Sequence, residues 1–240
     1  MKANKGRLSG VLFVLLSCGL ADLSLATGPA NQPAVSTQDE DSQMRPTDMA
    51  SDPEMYLQLI GRMQEKHLYF ASLAHLDAFD RRWPSNQRAT LLRADALRET
   101  GYSDQAARLY EGLLKSPLAA SAQHGLGLIA SKNGDLNTAL LALSQANQMD
   151  PTNAAMLNDL GYVQILLQRL AEAGFNLHKA TELDPKNSLA GANLALFYLL
   201  DNKPARADGI MDWYRLTEKQ RKDIIDKAAE LNVRNAPNAP

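Results

Sequence analysis

From about residue 53 onward, apolar residues recur at helical spacing, and the same arrangement returns every 34 residues. Leu126, Gly127, Ala139, Leu143, Ala146 and Pro151 are matched by Leu160, Gly161, Ala173, Leu177, Ala180 and Pro185. Each set puts a small residue in a first helix, two alanines in a second, and a proline that cannot continue that second helix. Weaker copies surround this pair. Leu194, Ala195, Tyr198 and Ala207 form one without the closing proline, Gly101, Ala106 and Tyr110 form one that is a residue short, and Tyr56, Leu59 and Pro84 form the faintest. The pattern predicts helix pairs over 53–86, 87–119, 120–153, 154–187 and 188–221. Asn86, Asn153 and Asn187 each stand two residues after a boundary proline, where an asparagine oxygen can cap the next helix. A last amphipathic helix is expected near 217–231, opened by Thr217 and Gln220 in capping-box positions. Its apolar stripe would be Ile224, Ile225, Ala228 and Leu231.

This period and its small-residue pattern resemble the tetratricopeptide repeat (TPR). The resemblance implies an all-α, right-handed α-solenoid of about five helix pairs with a C-terminal capping helix, filling residues 53–231. Several pairs are needed because one pair cannot bury its own apolar face; stacking does so. In such a stack the first helix of each pair lines a concave groove. The inward positions would hold Arg88, Asp95 and Arg98 in repeat two and His124 and Lys132 in repeat three. Repeat four would contribute Asn158, Asp159, Tyr162 and Ile165, and repeat five Asn193, Leu196 and Leu199. An asparagine can bond a peptide backbone through both its C=O and its NH₂ group. Tyr162 and Leu196 are candidates for the walls of side-chain pockets around a bound helix or extended segment. The alternative is that these residues pack neighbouring first helices together. Lys179 and Lys186 fall outside the groove, where charge reversal is expected to be nearly silent.

The N-terminal residues follow a different pattern. Lys2, Lys5 and Arg7 precede an apolar run from Leu8 to Leu16, too short to span a bilayer but suited to an export signal over residues 1–17. The run ends in Leu15-Leu16-Ser17-Cys18, which resembles a bacterial lipobox and implies cleavage before Cys18 and a covalent lipid on its thiol. Cys18 is the single cysteine, so no intramolecular disulfide can form. Gly19 follows it; by resemblance this residue is compatible with sorting to the outer membrane, on its periplasmic face. Residues 18–52, with Pro29, Pro33, Pro46 and the acidic run Asp39-Glu40-Asp41, show no apolar period and are expected to be a disordered tether, as are residues 232–240 a tail. Cleavage removes three basic residues and no acid, so a net charge of −2 becomes about −5. That excludes adhesion to an anionic membrane by charge and gives no sign of a nucleic-acid surface.

No set of residues suggests catalysis. His67, His75, His124 and His178 lack metal-site spacing, and there is no second cysteine to complete a zinc site. Gly125-Leu126-Gly127 lies inside a helical pattern and reads as close helix packing, not as a nucleotide loop. No metal, cofactor or small-molecule substrate is expected beyond the lipid.

A lipobox, a polar tether and about five repeats together resemble outer-membrane assembly lipoproteins. Asn158-Asp159-Leu160-Gly161-Tyr162, followed one repeat on by Ala192-Asn193-Leu194-Ala195-Leu196, is most similar to the TadD family of tight-adherence (Flp, type IVb) pilus machinery. The resemblance implies a non-enzymatic, pilotin-like scaffold whose partner is an outer-membrane secretin or another pilus-assembly component. Two alternatives stay open: a type IVa pilotin, and a TPR lipoprotein that regulates a cell-wall synthase or hydrolase.

Overall fold

Eleven α-helices and no strands make up the described residues, 52–234, of the computed structural model. The signal peptide, Cys18, the tether up to Ser51 and residues 235–240 lie outside the described residues. Ten helices form five antiparallel pairs: α1 (Pro53–Glu65) with α2 (Tyr69–Arg82), α3 (Gln87–Glu99) with α4 (Ser103–Leu113), α5 (Ala119–Lys132) with α6 (Leu136–Met149), α7 (Ala154–Leu166) with α8 (Leu170–Leu183), and α9 (Ser188–Leu200) with α10 (Pro204–Trp213). A final helix, α11, runs over Glu218–Arg234. It continues three residues beyond Leu231 because no helix breaker occurs before Pro237. The first helix of each pair packs on both helices of the preceding pair, as a solenoid requires.

Local sequence determines each turn. Within a pair, one residue adopts positive φ: His67, Gly101, Gly134, Gln168 and Asn202 in successive repeats. The next N–H then returns to the carbonyl five residues back, as from Tyr102 to Leu97 at 2.8 Å and from Lys203 to Tyr198 at 2.8 Å. Left-handed backbone at this point satisfies orphan carbonyls and reverses the chain. Between pairs, asparagine caps the new helix as expected. Asn86 Oδ1 accepts from the N–H groups of Arg88 and Ala89, Asn153 from Met156, and Asn187 from Leu189 and Ala190. The reciprocal capping box of α11 is also present, with Gln220 N–H donating to Thr217 Oγ1 at 3.3 Å and Thr217 N–H to Gln220 Oε1 at 2.7 Å.

Small residues set the spacing inside each pair. Ala106, Ala139, Ala173 and Ala207 are fully buried, and in the first repeat Ser72 takes that place. Its hydroxyl accepts a 2.7 Å hydrogen bond from Gln64 Nε2, which is how a polar residue fits a core position. A methyl group on Gly127 would lie 2.7 Å from Leu143 Cγ, and one on Gly161 would lie 2.7 Å from Leu177 Cγ, so both glycines mark helix–helix approach. Repeat one instead builds its core from larger residues: Leu57, Ile60, Leu76 and Phe79, with Tyr56 and Trp83 against them.

Candidate functional site

The first helices α3, α5, α7 and α9 carry a row of polar side chains from one repeat to the next. His124 Nε2 on α5 lies 2.7 Å from Asp159 Oδ2 on α7. Asn158 Nδ2 donates to the other Asp159 oxygen at 3.0 Å, and Asn158 Oδ1 accepts from Asn193 Nδ2 on α9 at 2.9 Å. Asn158 is thus buried at 2% exposure and bonded through both ends of its amide, while Asp159 and Asn193 are half-buried. Four of the residues placed in the groove from sequence, His124, Asn158, Asp159 and Asn193, therefore come together, and their bonds tie three successive first helices to one another.

The row continues into repeat two. Tyr110 donates its hydroxyl to Asp95 Oδ1 at 2.6 Å, and Arg98 Nε donates to the Tyr110 oxygen at 3.3 Å. Burial raises the Asp95 carboxyl above its ordinary value, against the opposing pull of the Tyr110 hydroxyl and Arg98. Burial also raises the Tyr110 phenol, and the Asp95 charge adds to that. Sequence reasoning missed Tyr110 as a member of this row. Its signal was Gly125 in the following repeat, where a Cβ would fall 2.2 Å from Tyr110 Cζ. At the outer edge, Arg88 forms an ion pair with Glu54, 34 residues earlier at the equivalent position, and Lys132 is exposed.

The other candidates lie elsewhere. Ile165 and Leu196 are buried at 2% and 3% exposure in one cluster with Ala192, Ile224, Ala228 and Leu231; Tyr162 and Leu199 pack against it half-buried. Burial raises the Tyr162 phenol, with Glu230 of α11 contributing in the same direction. α11 therefore sits over the groove positions of repeats four and five. Its buried stripe is Ile224, Ala228 and Leu231, whereas Ile225, assigned to that stripe from sequence, is 51% exposed. The reason is angular: Ile224, Ala228 and Leu231 follow the i, i+4, i+7 spacing of one face, and Ile225 is turned about 100° away. Sequence reasoning also missed the covering itself. The signal was α9, Ser-Leu-Ala-Gly-Ala-Asn-Leu-Ala-Leu-Phe-Tyr-Leu-Leu, which is apolar nearly all round and so has no face left for water. Lys179 is not inert either, since its Nζ donates to Pro151 O at 2.7 Å and links α8 to the preceding turn.

Two further histidines also have hydrogen-bonded roles in packing: His75 Nδ1 meets Tyr56 Oη at 2.7 Å, and His178 Nε2 meets Tyr198 Oη at 3.0 Å. Among the described residues no cluster of His, Cys, Asp or Glu could hold a metal ion, and no helix is long and apolar enough to cross a membrane.

Comparison with known proteins agrees with this geometry. A family model described as tetratricopeptide repeat matches residues 120–153 and 154–187, the two strongest copies of the period. The TPR repeat-containing protein PA4299 of Pseudomonas aeruginosa is 32% identical over 190 residues, covering 78% of this chain and 73% of that protein. The solved structure of TTC0263, a thermophilic TPR protein of Thermus thermophilus, superposes with a TM-score of 0.60 at 18% identity, over 76% of this chain and all of that one. A MamA RS-1 double mutant gives 0.51 at 17% identity, over 73% of this chain and 97% of that one. These two structures speak for the fold alone. The array is a protein-interaction scaffold, and the chain belongs to the tetratricopeptide-repeat family.

Proposed function

We propose that this chain is an outer-membrane lipoprotein whose repeats hold a component of the Flp (tight-adherence) pilus secretin during its assembly or localisation. Cys18 carries the lipid, residues 19–51 act as the tether, and the concave face engages the partner. The observation that carries the reading is the joining of a Leu15-Leu16-Ser17-Cys18 lipobox to a repeat array with a polar row across successive first helices. Acyl chains anchor at roughly 0.8 kcal/mol per buried CH₂, and more than one chain on the modified residue is needed for stable attachment.

The reading is tested by isolating outer membranes and capturing the protein with its partners. A secretin in the captured material is expected from the wild type. Cys18→Ser should abolish the lipid adduct in intact-mass analysis and move the protein to the soluble periplasmic fraction. The Tyr162 ring packs against the core cluster, so Tyr162→Ala is compared at a temperature where circular dichroism shows it still folded. There it should keep its lipid but lose secretin assembly, while Lys186→Glu, exposed in a turn outside the groove, should retain it. Capture of a peptidoglycan synthase or hydrolase in place of a secretin would replace the pilus reading with the cell-wall one.

A further inference from the structure

The turn that leads into α11 differs from the turns that join the repeats. Repeats three and four end in Asp150-Pro151 and Asp184-Pro185 before a capping asparagine. After α10, Arg215 takes a positive φ of 51° and Leu216 N–H returns to Met211 O at 3.0 Å. That is the bond pattern which elsewhere reverses the chain within a pair. α11 consequently packs its backbone closely against α9 and reaches α10 through side chains, with Arg221 Nη2 donating to Asp212 Oδ1 at 2.7 Å, unlike every earlier first helix, whose backbone rests on the second helix before it. Leu196 and Leu128 occupy the same concave position two repeats apart; Leu128 is half-buried, and Leu196, under α11, is 3% exposed. Ile165 of α7 shares one buried cluster with Ile224, Ala228 and Leu231, and Tyr162 packs against it, so α11 crosses α9 toward repeat four instead of extending the stack. The charges of Lys219, Lys222 and Lys227 pair with Asp223, Asp226 and Glu230 on α11 itself, which supports its helical form independently of the groove.

We infer that α11 is a resident occupant of the groove of repeats four and five, and that the partner enters as an amphipathic helix of the same pattern by displacing it. That pattern places apolar residues at i, i+4 and i+7 with a small residue in the middle, as Ile224, Ala228 and Leu231 do. The inference rests on the concave face being the binding face, but not on the partner being a pilus component.

The test uses the full chain in detergent and a fluorescent peptide of residues 217–233 as the probe. Ile224→Asp/Leu231→Asp should release α11, and Ile225→Asp, on the exposed face of the same helix, should not. The peptide is expected to bind the released variant at least tenfold more tightly than the wild type or the Ile225→Asp control. Amide exchange should speed up in α11 of the released variant while α5 to α8 stay protected. The inference fails if α11 is released and the peptide does not bind. It fails equally if α11 stays protected in the double variant, or if repeats four and five lose protection together with it, since α11 would then be an integral element of the fold. A positive peptide result beside a negative secretin capture would keep the groove and remove the pilus reading.

Discussion

Gly161 and Gly209 allow one substitution to be read at a packed and an open site. On Gly161 an alanine Cβ would fall 2.7 Å from Leu177 Cγ, 2.9 Å from its Cδ2 and 3.4 Å from Ala173 O. Cγ is the branch point of a side chain with 0% exposure, so it cannot swing aside without driving its methyl groups into other core atoms. On Gly209, exposed in α10, nothing lies within 4 Å of the added carbon. Both changes gain the same helix propensity, about 1 kcal/mol over glycine. The difference between the two variants therefore isolates the contact with Leu177, and overpacking of this kind costs about 1–3 kcal/mol. For a domain of this size, 1 kcal/mol moves Tm by about 2–4 °C. Gly209→Ala should melt a few degrees above wild type, and Gly161→Ala roughly 2–12 °C below Gly209→Ala in the same buffer. Gly127→Ala should follow Gly161→Ala, because its Cβ would meet Leu143 Cγ at 2.7 Å and Cδ2 at 2.8 Å. Thermal unfolding by circular dichroism measures the gap, and amide exchange localises it to repeat four. Equal shifts for Gly161→Ala and Gly209→Ala would refute the claim that glycine is required where α7 meets α8.

Three further outcomes are expected. Asn187→Ala removes an acceptor used by both Leu189 and Ala190 N–H and should cost about 0.5–2 kcal/mol by urea titration, with Asn187→Ser recovering most of it. Asn193→Ala leaves the buried Asn158 Oδ1 without its donor and should cost about 1–3 kcal/mol, whereas an exposed amide such as Gln58→Ala should change stability by less than about 0.5 kcal/mol. Asp95 has a folded pKa raised above 3.8 by burial, so as pH rises the unfolded chain releases this proton first and stability falls from 3.8 through the raised value. Asp95→Asn keeps an acceptor for Tyr110 and lacks that loss, so its stability relative to wild type should improve as pH rises above the ordinary carboxylate value, and a gap that does not change with pH would refute the burial argument.

The repeat register was legible because it rests on residues with steric meaning. First helices open at Pro53, Gln87, Ala119, Ala154 and Ser188, within one residue of the periods read from the chain. Proline, capping asparagine and small residues at Gly127, Gly161, Ala139 and Ala173 each act locally, so position in the sequence was enough to place them. The functional face was less legible. Asn158, Asp159 and Asn193 were identifiable as groove residues, but their bonding to His124 and to one another depends on side-chain directions across three helices. Ile165 and Leu196 were placed in the groove by the same register, and what covers them is set by a helix that begins only at Glu218, beyond the last helix pair. Periodicity has no term for an element that leaves the period.

The departure nevertheless has a local origin. The second helix of repeat five, α10, is 10 residues long, against 14 in α6 and α8. At 1.5 Å per residue it stops roughly 6 Å short of where α6 and α8 hand over to the next repeat. The Asp-Pro pair that ends those helices is missing, and Trp213-Tyr214-Arg215 stands near its place. Tyr214 then closes on α9, where the absence of a side chain on Gly191 admits its ring; a Cβ there would lie 2.3 Å from Tyr214 Cδ2. With Arg215 in the left-handed region and Leu216 buried behind it, the chain is directed back along α9 and away from the open end of the stack. The concave surface it meets is the apolar one. Repeat two offers Asp95 and Arg98 at positions where repeat five offers Leu196 and Leu199. A helix with a narrow apolar stripe can cover the second pair but would strand the charges of the first without water. Ending the stack and filling the groove of repeats four and five are thus one event, set by a shortened helix, a glycine and an aromatic ring, and the polar half of the concave face is left outside it.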